Sequence, residues 1–237
     1  MPTTLITGAN RGLGLELARQ YAGDGWAIIA RTRTPDRATE LHALNAAYPA
    51  TVDVQATDAP SATSVAALAA RLAGRPIDLL VNNAGVGADE PSARGRIDYD
   101  RWRDVLATNT LGPVRMSEAL LENVAASDRK LIVTLTTALG SLGLYAAEER
   151  PGFGALYPYR TSKAASDMAT LALAKEVAPR GIIAVGLSPG WVRTAMGGPG
   201  ATLSAAESVT GMRGVIAGLT PAQSGRALAH DGSPLPW

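Results

Sequence analysis

The sequence predicts a single-domain α/β protein with a doubly wound parallel sheet, and two observations carry that reading. Short runs rich in aliphatic and β-branched residues are nearly all apolar, as strands covered on both faces must be. Longer helical patterns lie between them, with room for crossover connections. At 237 residues, 46% apolar and 18% charged, the chain is long enough for one substantial core.

In chain order, strands are expected at Thr4–Thr7, Ala27–Thr32, Thr51–Val54, Leu79–Asn82, Leu131–Leu135 and Ile182–Leu187. Helices are expected at Gly12–Ala22, Asp36–Ala47, Ser61–Leu72, Tyr99–Ala125 and Tyr157–Ala178. No linker-like stretch divides the pattern, so 1–237 reads as one domain. Long loops fall at 85–98, 140–156 and 190–218, the last opening on a glycine-rich run. Ligands of open α/β sheets sit outside the carboxyl ends of the strands, which places these loops around a site.

Charge and composition narrow the function. A net charge of +1 gives no bulk field for nucleic acid or an anionic membrane, so any anion must be met locally. There is no cysteine, which excludes disulfides and thiolate nucleophiles, and the isolated His42 and His230 build no metal site. Met1-Pro2-Thr3-Thr4-Leu5-Ile6 has neither a basic nor an apolar leader region. No apolar run approaches the roughly 18–20 residues of a membrane span. A soluble, cytoplasmic protein is expected, with no nucleic-acid or membrane partner.

The first strand runs into Thr7-Gly8-Ala9-Asn10-Arg11-Gly12-Leu13-Gly14, followed at once by an amphipathic helix carrying Leu13, Leu17 and Tyr21. Glycine permits positive φ and lets a pyrophosphate approach the main chain, while the helix N-terminus offers unpaired N–H groups. At the first βα junction this spacing reads as a dinucleotide phosphate site formed by Gly8, Asn10, Arg11, Gly12, Leu13 and Gly14. Small residues at later strand ends, Asn83-Ala84-Gly85 and Asp53-Val54, let an adenosine lie flat, and Asp53 offers an acceptor to the adenine amino group. The second strand ends Ala30-Arg31-Thr32-Arg33-Thr34, with no carboxylate before Asp36 where an NAD reader places one. Arg33, joined by Arg11, suits a 2′-phosphate, so NADP(H) is the expected cofactor. Arg31 reads as a solvated charge at the strand end.

Tyr159 and Lys163 stand four residues apart, on one face of a helix. A free phenol, with pKa near ~10, is a poor proton shuttle at neutral pH. An ammonium about 4 Å away at an effective dielectric of ~20 supplies roughly 4 kcal/mol, or about three pKa units. Tyr159 is therefore expected to titrate near neutrality.

Thr7–Gly14, Asn82–Gly85, Tyr159–Lys163 and Ser188–Thr194 together resemble the ordered motif set of the short-chain dehydrogenase/reductase family, over essentially the whole chain. Gly140-Ser141, Tyr157-Pro158-Tyr159-Arg160, Gly190-Trp191-Val192 and Gly232–Trp237 are similar to its C-factor-like branch, related to small carbonyl reductases. The resemblance implies a Rossmann fold, with Tyr159 as general acid/base and Lys163 holding the nicotinamide ribose. It implies that Asn109 supports a water in the proton relay, and Pro113 gives a reason. Lacking an N–H, Pro113 leaves the Asn109 carbonyl without its helical partner. Pro189, Gly190, Trp191 and Val192 are implied to hold the nicotinamide carboxamide, with Thr194 near the phosphates. The implied assembly is a homodimer or homotetramer paired through Tyr99–Ala125 and Tyr157–Ala178.

One departure stands out. The family's serine after the fifth strand is replaced by Thr137, judged from its offset to Gly140, with Ser141 as a second candidate. Thr136 reads as a sheet residue. The long interval to Tyr159 marks Tyr145–Leu156 as an insertion beside the substrate cleft, in which Glu148, Glu149 and Arg150 are solvated loop charges. Gly197, Gly198, Pro199 and Gly200 read as a mobile lid. The implied activity is NADPH-dependent hydride transfer between nicotinamide and a small-molecule carbonyl or alcohol. The alternative is a cofactor-binding signalling or scaffold protein with a vestigial oxidoreductase site, for which the threonine is the best support.

Overall fold

The computed structural model describes residues 1–87, 97–147 and 155–237. The strands are β1 (Thr3–Thr7), β2 (Ala27–Thr32), β3 (Val52–Ala56), β4 (Leu79–Asn82), β5 (Leu131–Leu135), β6 (Ile183–Ser188) and β7 (Ala227–Ala229). The helices are α1 (Gly12–Gly23), α2 (Thr39–Ala47), α3 (Ala62–Arg71), α4 (Tyr99–Leu106), α5 (Gly112–Ala119), α6 (Leu121–Ala125), α7 (Leu142–Ala147), α8 (Tyr157–Val177) and α9 (Ala205–Ala217).

The strands form one sheet in the order β3-β2-β1-β4-β5-β6-β7, and every pairing is parallel. Strand residues alternate between two cores, which is why the runs are apolar throughout. Ile6, Ile28, Val81, Val133 and Val185 face α1, α2 and α9 through Leu17, Leu41, Val209 and Met212. Leu5, Ile29, Leu80, Ile132 and Ala184 face α3, α5, α6 and α8 through Val65, Met116, Val124 and Val177. Each fully buried Leu or Ile contributes about 1.5–3 kcal/mol. The chain order reverses between β1 and β4, and the crevice beyond their carboxyl ends is where such sheets bind ligands. No helix among the described residues is long and apolar enough to cross a membrane.

Four expectations need correction. The single helix over Tyr99–Ala125 is broken: Ala107–Leu111 widens into a π turn ahead of Pro113, and Leu120 leaves helical geometry at φ −107°. The third strand continues to Ala56, so Asp53 lies within it and not at its end. Residues 190–218 are not all loop, because α9 fills Ala205–Ala217 behind a capping box in which Ser204 and Glu207 bond each other's backbone. The helix expected from Asp36 starts at Thr39, after a tight turn over Pro35–Arg37. Glu148, Glu149 and Arg150 lie outside the described residues.

Candidate active site

The glycine loop and the end of β4 are built into one another. Gly8 and Gly12 hold φ of +66° and +55°, a region open to glycine. A Cβ at Gly14 would fall inside contact distance of the Gly8 carbonyl oxygen, so only glycine lets α1 approach the loop. Thr7 Oγ1 accepts from the N–H groups of Asn83 at 3.0 Å and Ala84 at 2.9 Å. The Asn83 amide donates to the Thr7 carbonyl at 2.7 Å and to that of Gly8 at 3.1 Å. Asn83 is thus a brace for the loop as well as a wall of the site.

A cavity of about 640 Å³ opens over this junction. Gly8, Asn10, Arg11, Gly12, Leu13 and Gly14 form its floor, with Asn83, Ala84 and Gly85 beside them. Arg11 and Arg33 line it, both exposed and neither in an ion pair among the described residues. Its size falls in the usual range for a small-molecule site, roughly 300–1,000 Å³. Helix N–H groups and two unpaired guanidinium groups are the donor set that a phosphorylated dinucleotide requires.

Asp53 and Val54 do not reach the cavity; Thr57, Asp58, Ala59 and Pro60 take that wall. The Asp53 carboxylate accepts from Arg31 Nη2 at 3.4 Å and from Gln55 Nε2 at 2.9 Å. Arg31 is not a solvated charge, for it is 1% exposed and burial lowers its pKa to about 10. Sequence spacing missed this because a two-residue shift in the strand end decides which residue meets the ligand.

At the inner end, Tyr159 and Lys163 line the cavity from α8. Lys163 Nζ donates to the Leu135 carbonyl at 2.6 Å, and the Cβ that Gly140 lacks would stand 2.9 Å from Lys163 Cβ. The turn after β5 therefore packs directly on the lysine. Asn109, 1% exposed, sits behind Gly85 and donates to Ser162 Oγ at 3.0 Å. The π turn that Pro113 follows is what puts it there, because one wide turn shifts side chains relative to a regular helix. Ser162, which also donates to the Tyr159 carbonyl at 2.8 Å, has no signal in the sequence beyond its place in the tyrosine–lysine motif.

The expected acid shift of Tyr159 is reversed. Burial pushes its phenol up to about 12, with the Thr137 hydroxyl partly offsetting the rise. Lys163 Nζ lies 6.0 Å from the ring centroid, and burial lowers the lysine itself to about 8. A four-residue spacing fixes neither the distance of the ammonium from the phenol nor its burial. Tyr159 thus holds its proton at neutral pH.

Thr137 faces Tyr159, and its Oγ1 accepts from the Leu139 N–H at 3.2 Å. Ser141 is committed elsewhere: it donates to the Pro236 carbonyl at 2.5 Å and accepts from the Leu144 N–H at 3.1 Å. Pro189 and Thr194 line the cavity, while Gly190 packs on His230, Val192 is buried, and Trp191 Nε1 donates to the Gly197 carbonyl at 2.9 Å. Gly197–Gly200 is tied back, with the Gly198 N–H donating to the Thr194 carbonyl at 3.0 Å and Arg193 and Trp191 bonded to Leu203. Arg193 and Met196 are cavity residues that the sequence reading did not assign.

A family model described as short chain dehydrogenase matches residues 2–201. The chain belongs to the short-chain dehydrogenase family. A relative named C-signal, from Myxococcus xanthus, is 39% identical over 171 residues, spanning 72% of this chain and 99% of its own. The structure of carbonyl reductase Sniffer of D. melanogaster superposes with a TM-score of 0.92 at 29% identity, covering 100% of both chains. An NADPH-bound carbonyl reductase from chicken fatty liver gives a TM-score of 0.91 at 30% identity, over 100% of this chain and 99% of that one. Within this short-chain dehydrogenase the glycine loop, Arg33, Asn83, Ala84, Gly85, Tyr159, Lys163, Pro189 and Thr194 line one cavity, whereas Asp53, Val54, Asn109, Thr137, Gly190, Trp191 and Val192 are not among its lining residues.

Proposed function

We propose that this short-chain dehydrogenase reduces the carbonyl group of a small molecule with NADPH, the reverse reaction oxidising an alcohol. The observation that carries the reading is one cavity with Arg11, Arg33 and the glycine loop at its outer end and Tyr159 and Lys163 at its inner end. Arg11 and Arg33 would hold the 2′-phosphate, the α1 N-terminus the pyrophosphate, and Thr57–Pro60 the adenine. Thr194, whose Cγ2 lies 3.6 Å from where a Gly12 Cβ would be, would close over the phosphates. The NADPH bound by the chicken fatty liver relative supports this assignment.

Bound NADPH supplies a hydride to the carbonyl carbon. Tyr159, protonated at neutral pH, donates its proton to the oxygen as charge develops there, and Thr137 donates a hydrogen bond to the same oxygen. Lys163 supplies positive charge beside the phenolate so formed, and Asn109 holds the inner wall in place. A phenol pushed up to about 12 serves the reducing direction, since its proton is present when needed. The substrate would enter between the turn after β5 and the segment following β6. Exposed Leu111, Val114 and Met168 support homodimer or homotetramer pairing through α5 and α8.

The similarity to C-signal favours a second reading, a cofactor-binding signalling protein whose redox site is idle. Consumption of NADPH against a panel of aldehydes and ketones tests the first reading. Turnover of any panel member supports it; tight NADPH binding without turnover of any would favour the second.

A further inference from the structure

Beneath the cavity lies a buried carboxylate that the proposed reaction does not use. Asp167 follows Lys163 by one turn on the inner face of α8, and the two are 6% and 7% exposed. Opposite them stands Thr136 from the end of β5 and Gly186 from β6. A Cβ at Gly186 would lie 3.3 Å from both Asp167 Oδ1 and Thr136 Cγ2, so the missing side chain leaves room for the carboxylate. The Thr136 hydroxyl faces the Asp167 carboxylate and favours its ionised form. A buried carboxylate is expensive unless another charge is near.

We propose that Asp167 is a positioning residue that keeps the buried Lys163 ammonium charged under the cavity. Among the described residues, the groups beside Lys163 from other elements are uncharged: the Leu135 carbonyl from β5, Gly140 in the turn after it, Gly85 after β4 and Asn109 behind that glycine. Tyr159, on the same helix, is neutral. Among the described residues Asp167 is the one charge that acts on the lysine, opposing the burial that lowers it to about 8. In return, burial lifts Asp167 to about 6, and the Thr136 hydroxyl and then Lys163 help it ionise against that rise. Between those values both groups are charged, a window that includes neutral pH. The consequence for turnover rests on the reductase reading, but the ionisation itself does not.

The chain has three lysines, Lys130, Lys163 and Lys175, so a protein isotopically labelled at lysine Nζ gives few side-chain signals to follow. Loss of a signal in Lys163→Arg assigns the one of interest. Asp167→Asn keeps the shape and removes the charge; Asp167→Ser does the same with less bulk should the first variant fold poorly, and Asp167→Glu restores the charge. The Lys163 titration midpoint is expected to fall by about one unit or more in the neutral variants and to recover toward wild type in the glutamate variant. Lys130 and Lys175 should not move. A Lys163 midpoint unchanged within about 0.3 unit in the folded neutral variants would overturn the proposal. In a wild type that reduces a carbonyl, the alkaline limb of kcat/KM should shift with the lysine midpoint. A wild type without turnover overturns the reductase reading, while the lysine titration still decides the role of Asp167.

Discussion

Asn109 clasps the backbone of Val86 with both ends of its amide, Nδ2 donating to the carbonyl and Oδ1 accepting from the N–H, each at 2.9 Å. With its bond to Ser162, this ties the chain leaving β4 to the helix that carries Tyr159. Asn109→Ala leaves the Val86 groups unpaired in a part-buried place, a loss of about 1–3 kcal/mol for each group. We expect a lower urea midpoint and a kcat reduced by at least about tenfold, because small misplacements at a reacting centre are costly. Full activity at reduced stability would confine Asn109 to a structural role.

Arg33→Ala should weaken NADPH binding about 10–100-fold, the range for one charge-assisted hydrogen bond of roughly 1.5–3 kcal/mol. NADH binding should stay the same. Fluorescence titration with both coenzymes separates the outcomes, and equal weakening of the two would mean that Arg33 does not read the 2′-phosphate.

Thr137 and Ser141 should divide cleanly. Thr137→Val keeps the shape and removes the hydroxyl that faces Tyr159 and accepts from the Leu139 N–H, so kcat should fall well beyond the modest drop in melting temperature that loss of the cap brings. Ser141→Ala loses the bonds to Pro236 and Leu144, so the melting temperature should fall while kcat of the folded protein changes less. The opposite ranking of kcat would hand the substrate-polarising role to Ser141.

Asp167 should also appear in stability. Burial lifts its folded pKa to about 6, above the ordinary aspartate value of 3.8, so the folded state binds the proton more tightly. Stability linked to this group is present at low pH and is lost as pH rises from about 4 to 6. Asp167→Asn removes that loss. Relative to wild type, the variant should gain up to about 3 kcal/mol between pH ~4 and ~7, read from urea unfolding across that range. A flat difference would mean that the carboxylate is not strained by burial.

Much of this arrangement was legible in the sequence, for identifiable reasons. Five of the six strands that were foreseen are buried along their length, the edge strand β3 being the exception, while Gly8 and Gly12 hold positive φ and Gly14 admits the Gly8 carbonyl where a side chain would clash. The four-residue spacing put Tyr159 and Lys163 on one helix face, and both line the cavity; of the two residues singled out through the family resemblance, Asn109 lies behind Gly85 and Thr137 faces Tyr159. What escaped depends on tertiary context. β7 is a three-residue strand of Ala227, Leu228 and Ala229, too short for a periodic signal. α9 did carry one, the Ser204 to Glu207 capping box ahead of Val209, Met212 and Ile216, but the glycines before it masked it. Asp53 was misplaced because strand boundaries shift by a residue or two. The pKa of Tyr159 was misjudged because the separation and burial of Lys163 are not written in a four-residue spacing.

The most direct test follows NADPH absorbance on mixing with a carbonyl substrate from the panel, in wild type and in Tyr159→Phe. We expect the wild type to turn over and the phenylalanine variant to bind NADPH as tightly while reducing the substrate at least about 10²-fold more slowly, the scale of a lost general acid. A phenylalanine variant as fast as the wild type would contradict the assignment of the Tyr159 proton to the reaction.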